Sequence, residues 1–113
     1  MNNERITPSE LYALTLSREA HPMTEAVGKT LTVKAWAMNE YTAEGAEIKQ
    51  RTGVIDADGT AYITNSAAFA ARFGDIVNYI KACGMEDTGF KLKVVNIKSK
   101  AGRGYNSCEL VFQ

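Results

Sequence analysis

The side chains in this chain that could do chemistry are cations and aromatic rings, not nucleophiles. Lys34, Arg51, Lys93, Lys98, Lys100 and Arg103 are interleaved along it with Trp36, Tyr62 and Tyr105. Cations hold phosphates, and exposed rings take the faces of unstacked bases at roughly 1–3 kcal/mol per base, so the mixture suits an unpaired nucleic-acid strand. The densest positive stretch runs from Lys91 to Arg103, where five bases meet no acid. Its end, Lys98-Ser99-Lys100-Ala101-Gly102-Arg103-Gly104-Tyr105, reads as a basic, glycine-rich hairpin loop. Two glycines there permit close backbone approach to a ligand or simply a pliable turn. The same residues also admit a plainer reading, as solvated charges and half-buried strand aromatics. For Trp36 that reading is packing beneath a loop or beneath the first helix.

Other chemistries find little support. Nothing resembles a nucleophile elbow, a Walker loop or a His/Cys/Glu cluster, so no catalytic residue, metal or cofactor is expected. The one histidine, His21, has no nucleophile or carboxylate partner placed near it in sequence and reads as a loop or surface residue. Cys83 and Cys108 read as reduced, buried small residues; a disulfide would need the two positions to meet. Asp56 and Asp58 look like a carboxylate pair but flank Ala57 just ahead of Gly59, where turn formation is the simpler role.

The 113 residues suit one domain, 1–113, with residues 1–27 as a helical lead-in. With 45% hydrophobic and 23% charged residues the composition is that of an ordinary soluble globular protein. The start, Met1-Asn2-Asn3-Glu4, is polar and acidic, no run approaches a membrane span, and a cytoplasmic location is expected. The formal net charge is zero, with four acids against two bases in residues 1–27. A neutral total with a basic C-terminal half makes a dipolar surface, and its basic strip is what a phosphate backbone meets.

The elements that must position these groups are legible from periodicity. Thr7-Pro8-Ser9-Glu10 is a capping box with proline at N1, predicting a short helix to about Ser17. Met23 to Val27 allows one more helical turn. Lys29 to Met38 alternates, which puts Leu31, Val33, Ala35 and Ala37 on a core face and Thr32, Lys34, Trp36 and Met38 on the other. Residues 39–47 read as a loop, Ile48–Ile55 as a strand, and Thr60–Thr64 as its partner across a tight Asp58-Gly59 hairpin. Tyr62 points opposite to Ala61 and Ile63, and so outward if those two face the core. Ser66 then caps a helix carrying Phe69, Phe73, Ile76, Val77 and Ile80 on one face, stopped by Gly84. After a loop at 86–89, Phe90–Ile97 and Ser107–Phe112 complete the strands, with Lys91 and Lys93 outward.

Three strands, a helix and two strands is the order of a five-stranded OB-like Greek-key barrel, here with an extra N-terminal helix. The expected arrangement has the helix over 66–83 closing one end of the barrel and the N-terminal helix outside. On Ala57-Asp58-Gly59-Thr60-Ala61-Tyr62, the Ala-rich helix with Asp75-Ile76, and Phe90-Lys91-Leu92-Lys93-Val94-Val95, the run from Gly53 to Phe112 resembles the small single-stranded DNA-binding proteins of the protein-primed Bacillus phages. That resemblance implies an OB-like barrel that coats displaced single strands during replication, without catalysis, in the host bacterial cytoplasm and beside other replication proteins. It also implies strand and loop tyrosines as binding residues, Tyr62 matching one and Tyr41 a second. The rival expectation is a protein-interaction module, such as a phage-encoded inhibitor of a host enzyme, which the zero net charge and acidic N-terminal region favour.

Overall fold

Thr7 and Ser66 begin the two helices in the manner their side chains dictate. The Thr7 hydroxyl accepts the Glu10 N–H at 3.2 Å and the Glu10 carboxylate accepts the Thr7 N–H at 2.9 Å, which closes the capping box on α1, Pro8–Thr15. The Ser66 hydroxyl accepts the Phe69 N–H at 3.1 Å at the start of α2, Ala67–Ala82, and Gly84 follows the helix at φ +69°. The computed structural model describes residues 2–42, 48–84, 89–98, 102 and 104–112, without the side chains of 41, 42, 48 and 49. The expected loop segment 86–88, and most of 39–47 and 99–103, lie outside those residues.

The strands are β1 (His21–Pro22), β2 (Thr30–Thr42), β3 (Ile48–Asp56), β4 (Ala61–Thr64), β5 (Phe90–Lys98) and β6 (Gly104–Val111). A four-residue 3₁₀ turn, Met23–Ala26, follows β1. The strands form one sheet in the order β1-β4-β3-β2-β5-β6, curled into a half-barrel. The protein is therefore mainly β with two helices, but a sixth, two-residue strand joins the five expected. It pairs parallel to β4 through His21↔Tyr62 and Pro22↔Ile63. Among the described residues no ladder joins β6 to β4 or β1. The β6 edge is blunted instead by Arg72 of α2, whose Nε donates to the Cys108 carbonyl at 3.2 Å.

The β3–β4 connection is wider than a two-residue turn. Gly59 N–H donates to the Asp56 carbonyl at 2.8 Å, and Gly59 sits at φ +91°, where a side chain would be strained. Both aspartates serve this turn. Asp58 Oδ1 accepts the Thr60 N–H at 2.9 Å, and the Thr60 hydrogen bonds hold the carboxyl below its usual range. Asp56 Oδ1 accepts from Ala57 and, across to β2, from Thr32 at 2.9 Å.

Both faces of the sheet carry a core. The inner face holds α2: Phe69, Phe73, Ile76, Val77 and Ile80 meet Leu31, Val33, Trp36, Val54, Tyr62, Phe90, Leu92, Val94 and Cys108. The outer face holds α1 over β2, β3 and β4, where Leu14, Ala35, Ala37 and Ile55 are buried with Ile6, Leu11, Ala13 and Ala61 against them. Leu14 is the one fully enclosed side chain of α1, worth roughly 1.5–3 kcal/mol. It can lie so close because β3 offers Gly53 below it: a Cβ there would sit 2.9 Å from Leu14 Cδ2. Asn2 and Asn3 lie along β2 just beyond the end of its β5 ladder. Asn3 N–H donates to the Trp36 carbonyl at 3.2 Å, and the Asn3 side-chain oxygen accepts the Trp36 N–H at 2.9 Å.

Candidate nucleic-acid interface

A bulge in β2 decides where Trp36 goes. Val33 pairs with Asp56 and Ala35 with Ile55, leaving Lys34 as the extra residue. One inserted residue reverses the alternation beyond it. Leu31 and Val33 therefore share the inner face with Trp36, while Ala35 and Ala37 turn to the outer face under α1. The expected exposure of Trp36 is thus corrected: it is 1% exposed, edge-on to Phe73 at 5.7 Å, with Lys81 Nζ 5.6 Å from its ring centroid. Its indole N–H is buried without a protein acceptor, so packing, not hydrogen bonding, holds the ring.

Tyr62 is corrected likewise. It does point away from Ala61, as alternation requires, but both faces of β4 are covered. The register sets Trp36, Val54 and Tyr62 side by side across three strands. The 21–26 segment closes over the last of them: Met23 is buried in the same core and the His21 ring lies 6.0 Å from Tyr62. Tyr62 is 6% exposed. His21 itself is on the surface, its Nδ1 3.3 Å from Glu25 Oε2.

Arg51 faces outward from β3 but runs beneath α1, where its Nη1 donates to the Thr15 carbonyl at the helix C-terminus. Lys34, exposed on the bulge, lies 3.8 Å from Glu10 Oε2 near the other end of the same helix. An open groove of about 1190 Å³ adjoins the C-terminal end of α1, lined among others by Leu11, Leu16, Arg18, Met38, Gln50 and Arg51. Tyr41 pairs with Lys49 in the β2–β3 ladder, but its side chain lies outside the described residues, as do Lys100 and Arg103 entirely.

The remaining candidates gather beyond α1. Along β5, Phe90, Leu92 and Val94 are buried inward, so Lys91, Lys93, Val95 and Ile97 face the other way. The β6 register places Val111, Glu109, Ser107 and Tyr105 beside these four in turn, and β2 adds Thr32 beside Lys91 and Thr30 beside Lys93. Lys93, Ile97, Tyr105, Thr30 and Thr32 are exposed. Lys98 is exposed where β5 runs into the basic segment. The outer face of β5–β6 thus carries Lys93 and Tyr105, while Lys98, one residue beyond Ile97, is exposed at the strand end and by alternation leans to the other face. The outer face adds Ile97 and Glu109, which the pattern of cations and aromatics did not single out. Their signal was the pairing register of two alternating strands, which singles out Ile97 only once Tyr105 is set opposite it.

Among the described residues no group of three His, Cys, Asp or Glu is placed to hold a metal ion, and no helix is long and apolar enough to cross a membrane. Cys83 is exposed rather than buried, Cys108 is buried, and both are free thiols. Compared with family models, with curated proteins and with solved structures, the chain gives no match.

Proposed function

We propose that the chain is a non-catalytic single-stranded DNA-binding protein that lays the strand across the outer face of β5 and β6. One observation carries this reading: on that face an exposed ring, Tyr105, stands beside Ile97, Lys93 is exposed on the same strand face, and the chain runs on from the strand end through exposed Lys98 into a basic segment. Cations there would track phosphates while Tyr105 stacks on a base. The strand order supports the finer fold reading. With the two-residue β1 set aside, the order is third-second-first-fourth-fifth, with a helix between third and fourth, which is the OB-like Greek-key plan left open along one seam. Fold alone does not give function, so the weight stays on the face. The resemblance to the phage proteins adds the setting: coating displaced strands during replication in a bacterial cytoplasm, beside replication proteins.

Anisotropy of a labelled oligo-dT, titrated with protein at several salt concentrations, tests the reading. Trp36 fluorescence is not the reporter of choice, because the ring is in the core. For about three to five phosphate contacts the log–log slope with salt is roughly −2 to −3.5. Absence of binding at low salt rejects the proposal. The protein-interaction reading then leads, and it has its own observation: Tyr79 and Phe112, both exposed, meet edge-on at 6.3 Å beside Ile76 and Leu110.

A further inference from the structure

Three of the contacts by which α1 rests on the outer face matter here, and two of them occupy cations. Glu10 lies 3.8 Å from Lys34 Nζ near one end, and the Thr15 carbonyl accepts from Arg51 at the other. That carbonyl is among the last of the helix, where the partial negative charge of aligned peptide dipoles collects. A phosphate backbone crossing β2 and β3 would seek the same two side chains. The third contact is Leu14 over Gly53. Beneath the helix the sheet presents mainly small residues, Ala35, Ala37, Gly53 and Ala61. A helix of eight residues is too short to persist in water on its own, so its structure depends on this docking.

We propose that α1 is an internal competitor for single-stranded DNA: helix and nucleic acid occupy the outer face over β2 and β3 in mutually exclusive fashion, with Glu10 and the Thr15 carbonyl standing in for phosphates at Lys34 and Arg51. The inference rests on the single-strand reading above and extends it from the bare β5–β6 face to the covered one. Linkage makes the competition reciprocal. Whatever factor the docked helix takes from DNA affinity, bound DNA takes from helix docking.

A lock tests it. A Cβ on Gly53 would lie 3.3 Å from Leu14 Cβ, just under the roughly 3.5–4.5 Å of a disulfide. Leu14→Cys also removes the Cδ2 atom that would clash, leaving Ile63 Cγ2 at 3.2 Å to give slightly. In the full chain carrying Leu14→Cys, Gly53→Cys and Cys83→Ser, oxidation is expected to weaken oligo-dT binding by at least about fivefold, and reduction to restore it. In the unaltered protein, saturating oligo-dT should speed hydrogen exchange at the Leu11 and Leu16 amides, which donate to Thr7 and Tyr12 within the helix. A ligand that merely covered the helix would slow them. Should the double-cysteine chain not fold, Glu10→Gln serves: glutamine keeps the cap but frees Lys34, and binding should tighten. Equal affinity of oxidised and reduced forms, slowed exchange in α1, or unchanged affinity of Glu10→Gln each overturns the competitor while leaving binding intact. No binding by any form overturns both.

Discussion

On one side of β2 the outer face is paved with Ala35, Ala37, Gly53 and Ala61; on the other it carries Lys91, Lys93, Ile97 and Tyr105. Both halves belong to one sheet and one alternation of strands, yet one accepts a helix and the other stays open. Small side chains let a backbone approach, and Gly53 is the extreme case. On the open half, rings and cations face solvent instead. Hydrophobicity alone does not decide the use of a sheet face here: Ile55 lies under α1 and Ile97 does not.

The contrast between inside, covered half and open half can be broken at several points. Trp36→Ala empties an inner-face site and should cost about 3–5 kcal/mol in urea unfolding. Trp36→Phe should cost much less, because the indole N–H has no acceptor to lose. An intact, fully stable Trp36→Ala protein with selectively lost DNA binding would put the ring back outside. Gly53→Ala places a methyl 2.9 Å from Leu14 Cδ2 and should cost about 1–3 kcal/mol, read by the same unfolding curve. On the open half, Tyr105→Ala should leave the fold within about 0.5 kcal/mol and weaken oligo-dT binding by about 1–3 kcal/mol.

Lys98, Lys100 and Arg103 changed together to alanine should flatten the salt slope by about 2, since three contacts at roughly 0.7 each are lost. Stability should hold, as Lys98 is exposed and surface charges contribute little. An unchanged slope sends the strand elsewhere. The smallest effect expected is from Cys108. Burial pushes its thiol up to about 12 from the ordinary 9. Because the folded value is the higher one, the folded state holds the proton more tightly. The contribution is complete below pH 9 and fades as pH rises from 9 toward 12. Cys108→Ala should reduce that alkaline loss, and an alkylating reagent at neutral pH should label exposed Cys83 first.

Most of the elements were readable in the chain, because caps and periodicity act locally. Thr7 with Glu10 and Ser66 before an apolar stripe place both helices, and Asp58-Gly59 places the turn. Three things were not readable. The bulge at Lys34 leaves no mark in the alternating run Lys29–Met38, and it alone sends Trp36 inward and Ala35 outward. β1 has two residues, one of them a proline, and exists only because β4 offers an edge. Arg51 looks like any outward strand cation until the C-terminus of α1 arrives over it. Of the candidate site, Lys93 and Tyr105 were legible as surface groups because the neighbours that alternate with them on β5 and β6, such as Leu92, Val94 and Cys108, are unambiguous core residues; Lys98 was legible as the first cation of the basic run at the strand end.

The seat of Leu14 above Gly53 also sets an order of assembly. Gly53 lies 39 positions after Leu14 (53 minus 14), so during synthesis the helix segment emerges well before its seat exists. Eight residues cannot hold helical form while they wait. The β2–β3 pair must close first, and its ladder is local enough to do so early. α1 is thus translated first and docked late, a segment whose secondary structure is an outcome of tertiary structure rather than a step toward it.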